Sequence, residues 1–249
     1  MLRGSEPVRE MPSVKSDLMA ELERARRMHD ERAASQQLAA GLDRIAEFQA
    51  RRLDATYRDL ARDPRYQDAI AFFRTDLYGP GDFSRRDADL ERVVPMMRRM
   101  LPAGVLATVT MAIQLSALSQ ELDRALLAKL GIDAPLNVAS YCIAYRACAN
   151  RPLRARQIAL IGSVGLALDR YVHTPLLRRT LAVMRVPARA AGLRTLQRFL
   201  ERGVAGFASM RGATEFLETI DSRETALMNA IFAGNDAPFP DPARQTPMP

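Results

Sequence analysis

Five arginines in the second half of the chain form the first group of residues whose spacing indicates a binding function. Arg194, Arg198 and Arg202 follow one another at intervals of four residues, and Arg185 and Arg189 precede them with the same interval. Residues four apart share one ridge of a helix, where like charges repel by roughly 0.2–0.5 kcal/mol per pair unless an anion lies against them. The spacing therefore predicts a site for nucleic acid, anionic lipid or a phosphorylated ligand.

The positive charge of the whole chain is concentrated around these arginines. Residues 146–211 carry 13 arginines and only two acidic residues, Asp169 and Glu201, whereas residues 212–249 carry two arginines and six acidic residues. An alternative interpretation is that the arginines pair with carboxylates of the first half of the chain, or extend their methylene stems over apolar surface. The block contains few aromatic side chains for stacking on bases and no helix-turn-helix or RNA-binding signature, which argues against nucleic acid.

His173 is the second candidate, and it predicts a different chemistry. It lies among leucines and valines immediately before Thr174-Pro175, a position that suits a haem ligand or another cofactor contact in a helical protein. The alternative is a histidine at the C-terminus of a helix, where a cation interacts favourably with the helix dipole. The other histidine, His29, lies in a run of charged residues that is typical of a solvated helix face.

The residue patterns of the common catalytic and metal sites do not occur in the sequence. With two histidines and two lysines, general acid–base catalysis has few candidates, and no Gly-x-Ser-x-Gly turn accompanies a histidine base. No His-x-x-x-His or Glu-x-x-His spacing predicts a metal site, and no glycine-rich phosphate loop is found. The pattern favours a non-enzymatic protein without a metal or cofactor, but it does not decide the question of activity.

Helical patterns cover nearly the whole chain and must position these side chains. Apolar residues recur at three- and four-residue intervals, and no run alternates with the period of two that a strand requires. The predicted helical segments are residues 17–60 (one helix or two in tandem), 64–78, 84–101, 102–131, 135–150, 153–172, 175–187, 188–210 and 213–233. Gly203 interrupts the apolar stripe of the segment 188–210 and predicts the close approach of a neighbouring helix.

These segments predict an all-α fold, a single bundle of about nine helices with no sheet. We expect residues 17–234 to form one helical domain after a flexible N-terminus, residues 1–16. From Asn235 onward, five of fifteen residues are proline, which predicts a disordered tail over residues 235–249.

The chain is expected to be cytoplasmic and to lack a transmembrane span. Residues 100–120 contain no charged side chain, but Pro102, Gly104 and several hydroxyl-bearing residues interrupt the apolar run, which favours a buried central helix. Cys142 and Cys148 are six residues apart in one predicted helix, too far apart to form a disulfide. Two unpaired thiols fit a reducing compartment.

A motif in the first half of the chain resembles that of a known family. Phe72-Phe73-Arg74-Thr75-Asp76-Leu77-Tyr78-Gly79-Pro80 is followed by Asp82-Phe83, Arg86-Asp87, Leu101-Pro102, Leu118-Ser119 and Leu122-Asp123. The series resembles a family of uncharacterised proteobacterial proteins named for a Phe-Phe-Leu-Glu-Glu-Leu-Tyr (FFLEELY) motif, although Arg74-Thr75-Asp76 stands where that family has Leu-Glu-Glu. The resemblance implies a bacterial helical protein and assigns no catalytic residue. Phe73 and Leu77, one turn apart, are expected to be core residues.

Three hypotheses for the function follow. In the leading one, the protein is a non-enzymatic binding or regulatory protein that uses a helical surface for a protein partner or for self-association. In the second, the five arginines bind the phosphate groups of nucleic acid, an anionic membrane surface or a phosphorylated ligand. In the third, the protein is a cofactor or small-ligand carrier, or an enzyme, in which His173 faces a cavity between helices.

Overall fold

The computed structural model describes residues 14–77, 89, 92–93 and 103–242. These residues form ten helices and no strand, which confirms the all-α prediction. The helices are Val14–Ala34 (α1), Gln36–Thr56 (α2), Arg58–Arg62 (α3), Gln67–Phe72 (α4), Ala103–Leu130 (α5), Val138–Ala147 (α6), Arg151–Val172 (α7), Pro175–Ala190 (α8), Arg194–Ser209 (α9) and Thr214–Phe232 (α10). α4 continues as a π-helical turn over Phe73–Leu77. Most of the predicted helix 84–101 lies outside the described residues, as do residues 1–13.

Local contacts decide where the long N-terminal helical pattern is interrupted. Ser35 separates α1 from α2, because its hydroxyl accepts a hydrogen bond from the N–H of Leu38 at 3.2 Å and caps the second helix. Tyr57 then lies between α2 and α3, so the predicted segment 17–60 contains three helices. The start of α6 is set by Asn137 and Ser140, which form a capping box, and this helix begins later than predicted.

α5 is the central helix of the bundle and packs against α1, α2, α6 and α7. Between residues 104 and 120, only Gly104 and Ala112 are exposed, as expected for a helix with neighbours on several sides. By length and composition alone, Gly104–Leu130 is also apolar enough to cross a membrane, and 39% of its most apolar window is buried in the bundle. The expected lack of a transmembrane span therefore stays a prediction.

Two large clusters of buried apolar side chains hold the helices together. The first joins α2, α5, α6 and α10 through Leu42, Ile45, Phe48, Leu126, Leu127, Tyr141, Cys142, Met228 and Ile231. The second joins α4, α9 and α10 to the end of α7 through Ile70, Val172, Phe207, Phe216 and Ile220. A smaller cluster of four leucine and isoleucine side chains joins α1 to α5.

α9 lies close to α4 because two of its glycines face that helix. A Cβ atom at Gly203 would lie 3.0 Å from Cζ of Phe72, and one at Gly206 would lie 3.1 Å from the backbone oxygen of Asp68. The close approach predicted at Gly203 is thereby confirmed. α9 also packs against α7 and α8, so it connects α8 to the rest of the bundle.

The segment after α10 differs from the predicted disordered tail 235–249. Phe239 is only 8% exposed, and its ring centre lies 6.3 Å from that of Phe48 and 6.1 Å from that of Tyr141. Asp236 also forms an ion pair with Arg146 at 2.7 Å. Burial of the phenylalanine, worth about 1.5–3 kcal/mol, therefore holds this proline-rich segment on the bundle. Residues 243–249 lie outside the described residues.

Candidate functional site

The five predicted anion-binding arginines are all exposed on α8 and α9. Arg185 Nε donates to Glu201 Oε1 at 2.6 Å, and Arg202 Nη2 donates to Thr75 Oγ1 at 2.8 Å. The side chains of the other three, Arg189, Arg194 and Arg198, form no hydrogen bond or ion pair in the part of the chain that the structure describes. The carboxylate that Arg185 contacts belongs to the basic block itself and not, as the alternative interpretation proposed, to the first half of the chain.

Two exposed valines accompany these arginines on α8. Val183 is 72% exposed and Val186 is 77% exposed, whereas Ala188 on the other side of the helix is buried. Arg185 and Arg189 lie next to the valines along the same helix. We refer to the five arginines and the two valines together as the α8–α9 basic face. It combines positive charge with a small apolar patch.

His173 ends α7 and faces solvent. Its side chain is 45% exposed, and its Nε2 atom lies 3.3 Å from Oδ1 of Asp169, one turn earlier in the same helix. Thr174 and Pro175 then begin α8. This is the geometry of a helix-end histidine, and His173 does not line the cavity described next. A cofactor-binding role of His173 stays a prediction.

A cavity of about 90 Å³ lies elsewhere, between α2, α4, α6, α7 and α10. Its apolar lining includes Leu53, Ile70, Phe73, Ile158, Phe216 and Ile220. Its polar lining includes Arg52, Tyr57, Tyr141, Tyr145, Arg154 and Glu224. The cavity thus has the composition of a small-molecule site, with mainly apolar walls and a few polar groups that fix orientation.

Arg52 and Glu224 form a buried ion pair in the cavity wall. Arg52 is 8% exposed, its Nη1 atom donates to Glu224 Oε1, and the hydroxyl of Tyr57 donates to the same oxygen at 2.8 Å. Burial opposes the charge of Arg52, but the neighbouring Glu224 carboxylate outweighs this effect and raises the pKa of Arg52. Arg52 therefore keeps its charge inside the bundle, with the carboxylate of Glu224 beside it.

Arg154 is the second buried arginine of the wall and has weaker partners. It is 4% exposed, and its guanidinium carbon lies 4.4 Å from the ring centre of Tyr145. Its terminal nitrogens are 3.3 Å from Gln157 Oε1 and 3.4 Å from the carbonyl oxygen of Leu122. Its Nε atom, like that of Arg52, is buried without an acceptor. Among the described residues, no carboxylate lies within 4.0 Å of Arg154.

Asp123 interacts with Arg154 only at longer range. Gln49 Nε2 donates to Asp123 Oδ1 at 2.9 Å. Burial raises the pKa of Asp123, against the lowering effect of the charge on Arg154. Burial also raises the pKa of Tyr141 and of Tyr145, so both phenols are neutral at neutral pH. No direct ion pair therefore compensates the positive charge of Arg154.

The polar groups of this site are mainly hydrogen-bond donors. Within the described ranges, no group of three His, Cys, Asp or Glu residues is placed to hold a metal ion. Both cysteines are free, and burial raises the pKa of the Cys142 thiol to about 12, which keeps it protonated and unreactive at neutral pH. The donors in the cavity wall are arginine and tyrosine groups, which recognise anions and oxygen acceptors.

The sequence analysis missed the cavity, although a signal for it exists. Arg52 follows the buried Phe48 by four residues, Arg154 precedes the buried Ile158 by four, and Glu224 follows the buried Ile220 by four. Each charge therefore lies on the apolar side of its helix, where an unpaired charge is costly. Charged residues on the apolar sides of three different helices indicate a shared polar site inside the bundle.

Fold and site together define an all-α domain that has an arginine-rich outer face and an internal cavity with two buried arginines. The chain belongs to the family of the domain of unknown function DUF8198, whose sequence signature matches residues 28–238. No curated protein and no solved structure matches the chain.

Proposed function

We propose that this protein is a non-enzymatic binding protein that docks an acidic protein partner on the α8–α9 basic face. The observation that carries the proposal is the pairing of two highly exposed valines, Val183 and Val186, with arginines that have no partner among the described residues, namely Arg189, Arg194 and Arg198. Like charges in this arrangement repel one another, and an acidic surface would relieve that repulsion.

The anatomy of protein interfaces supports this choice of partner. Such interfaces have an apolar centre and a polar rim, and arginine is enriched in them relative to other surface residues. Full burial of each valine would contribute about 1.5 kcal/mol or more. The arginines would bind carboxylates in the two-pronged geometry that guanidinium groups favour, and would speed the encounter with an acidic partner.

Membranes and nucleic acids fit this face less well. Two valines bury too little apolar area to hold a helix in the lipid interface. The aromatic rings of α9, Phe199 and Phe207, are half-buried and buried respectively, so they do not present a stacking surface for bases. An acidic protein surface therefore remains the partner that uses both the charge and the valines.

A photoreactive amino acid at position 183 gives the most direct test. Illumination in cells that produce the protein should yield one adduct, with a partner whose contacting surface is acidic. The combined variant Arg189→Gln, Arg194→Gln, Arg198→Gln should lose this adduct, because the partner would no longer be attracted. The matched control is the same photoreactive residue at Ala159, which is exposed on α7 and should give no adduct.

Each other result would contradict the proposal. An adduct of twice the chain mass would assign the face to self-association. Binding of the purified protein to single-stranded DNA or to anionic vesicles at low salt, without a protein adduct, would assign it to a polyanion. An adduct that survives in the triple arginine variant would show that charge does not recruit the partner.

We further propose that the chain is a bacterial cytoplasmic protein and that the FFLEELY resemblance and the DUF8198 family describe the same group of proteins. In support, the motif phenylalanines serve packing: the Phe72 ring lies 5.3 Å from that of Phe199, and the Phe73 ring lies 5.7 Å from that of Phe216. The free thiols are compatible with a reducing compartment. Recovery of the protein in the membrane pellet after cell fractionation would contradict this localisation.

A further inference from the structure

The cavity wall contains a buried arginine that no carboxylate of the described residues contacts directly, and this feature is independent of the proposed partner surface. Of the arginines in its wall, Arg52 is paired with Glu224, and the charge of Arg74 acts on Asp54 in the same wall. Only Arg154 has neutral hydrogen-bond partners alone, at 3.3 and 3.4 Å, and the buried Asp123 acts on it only at longer range. A buried cation without a direct ion pair is costly, so an anionic ligand in contact with it would stabilise this arrangement.

We propose that the cavity binds a small aliphatic monocarboxylate, whose carboxylate group pairs with Arg154 and whose hydrocarbon part lies against Ile158 and Ile220. Arg154 offers its guanidinium from a site that is 4% exposed, and both isoleucines line the same cavity. At such a buried position an ion pair is considerably stronger than at the surface.

The charge of the lining selects a monoanion. Arg154 contributes one positive charge without a direct ion pair, whereas Glu224 and Asp54 are also present in the wall and Asp123 acts on Arg154 at longer range. A dianion such as hydrogen phosphate would bring one negative charge too many close to these carboxylates and would have no apolar part to place against the isoleucines. A single carboxylate on a short hydrocarbon chain matches both the charge of Arg154 and the apolar surface of the two isoleucines.

The volume of the cavity sets the length of this chain. The space of about 90 Å³ is smaller than the apolar cavity of roughly 150 Å³ that accommodates benzene. It therefore limits the ligand to a short-chain carboxylate, for which butyrate is the probe. Longer fatty acids would require the side chains of the wall to move, so affinity is expected to fall beyond that length.

Titration calorimetry of the purified protein with sodium butyrate tests the proposal. We expect one binding site per chain, and a dissociation constant at least tenfold higher in Arg154→Met. That variant should fold, because it replaces a buried charge that has no direct ion pair with an apolar side chain of similar length. Arg151→Met is the matched control, since Arg151 is exposed one turn earlier on α7, and it should bind butyrate as the unchanged protein does.

Butyramide, which has the shape of butyrate but no charge, separates charge recognition from simple filling of the space. The proposal expects no butyramide binding at concentrations that saturate the site with butyrate. Equal binding of the two compounds, unchanged butyrate affinity in Arg154→Met, or a site that binds phosphate but not butyrate would each overturn it. No heat change and no rise in melting temperature at millimolar butyrate would show that water alone occupies the cavity.

Discussion

Arg154 and the arginines of the α8–α9 basic face belong to the same positively charged stretch of the sequence, yet they are placed in opposite environments. Arg154 is 4% exposed and stacks on Tyr145, whereas Arg189, Arg194 and Arg198 are exposed to solvent. In water an arginine costs little and is free to meet a partner, but inside the bundle its charge must be compensated. The helix face on which an arginine lies therefore indicates its role better than the density of arginines along the sequence does.

The largest effect is expected from breaking the buried pair in the cavity wall. Glu224→Leu leaves Arg52 charged and buried without its carboxylate, which should lower the free energy of unfolding by about 3–5 kcal/mol. Urea denaturation measures this change. Glu47→Leu is the control, because Glu47 is half-exposed and lies 3.6 Å from Arg51 on the surface, and its loss should matter by less than about 1 kcal/mol. Equal losses in the two variants would remove the distinction between inner and outer arginines.

A second test concerns the contact that holds α9, and with it the basic face, on the bundle. Gly206→Ala places a Cβ atom 3.1 Å from the backbone oxygen of Asp68 on α4. Overpacking of this kind costs about 1–3 kcal/mol. Gly162→Ala is the matched control on α7, since no atom lies within 4 Å of its added Cβ. It should raise stability by about 0.5–1 kcal/mol, because alanine favours helix more than glycine does. Thermal unfolding of both variants should give shifts of opposite sign.

The surface ion pair between Arg223 and Asp59 extends the comparison of buried and exposed arginines, because its contribution to stability depends on pH. Arg223 donates to both carboxylate oxygens of Asp59, at 2.8 and 2.6 Å, and these hydrogen bonds lower the pKa of Asp59 to about 2. Because the folded pKa lies below the unfolded value of about 3.9, the stabilisation is present above about pH 4 and is lost as the pH falls toward 2.

Exposure limits the size of this effect. The Asp59 side chain is 59% exposed, so solvent screening should keep the contribution below about 1 kcal/mol. Asp59→Asn should therefore destabilise the protein slightly at pH 6, and the difference from the unchanged protein should disappear near pH 2. A difference that grows on acidification would contradict the assignment.

The smallest effect is expected on the basic face itself. Arg198→Gln removes the like-charge contacts with Arg194 and Arg202, which lie four residues away on each side. The free energy of unfolding should rise by about 0.4–1 kcal/mol at low salt, which is about 0.2–0.5 kcal/mol for each of the two pairs, and by much less at high salt, because salt screens exposed charges. A loss of stability would instead show that Arg198 supports the fold.

The sequence predicts the architecture well because apolar periodicity and helix punctuation are local properties. The segments around α5, α7 and α10 agree with the predicted ranges, and Gly203 makes the expected close contact. Prediction fails where distant residues decide the outcome. The tail is held by Phe239 against side chains of α2 and α6, which no local composition rule can show.

The candidate sites show the same limit. The exposure of the five arginines follows from α8 and α9 lying at the edge of the bundle, and His173 proves to be a helix end beside Asp169. The cavity arises because charged residues on three separate helices meet, and their partners are far apart in the chain: Arg52 and Glu224 are 172 positions apart. Periodicity marks each of them as unusual, but only the packing of the helices brings them together.

The buried ring of Phe239 also bears on where this domain can be cut. The family signature ends at residue 238, one position before the ring that covers Phe48 and Tyr141. Shortening the chain to the family boundary would expose the rings of Phe48 and Tyr141 and leave an aggregation-prone apolar cleft at the edge of α6. For expression and crystallisation, the smallest useful fragment therefore extends at least to Pro242, and a tag or fusion partner is better joined beyond that residue.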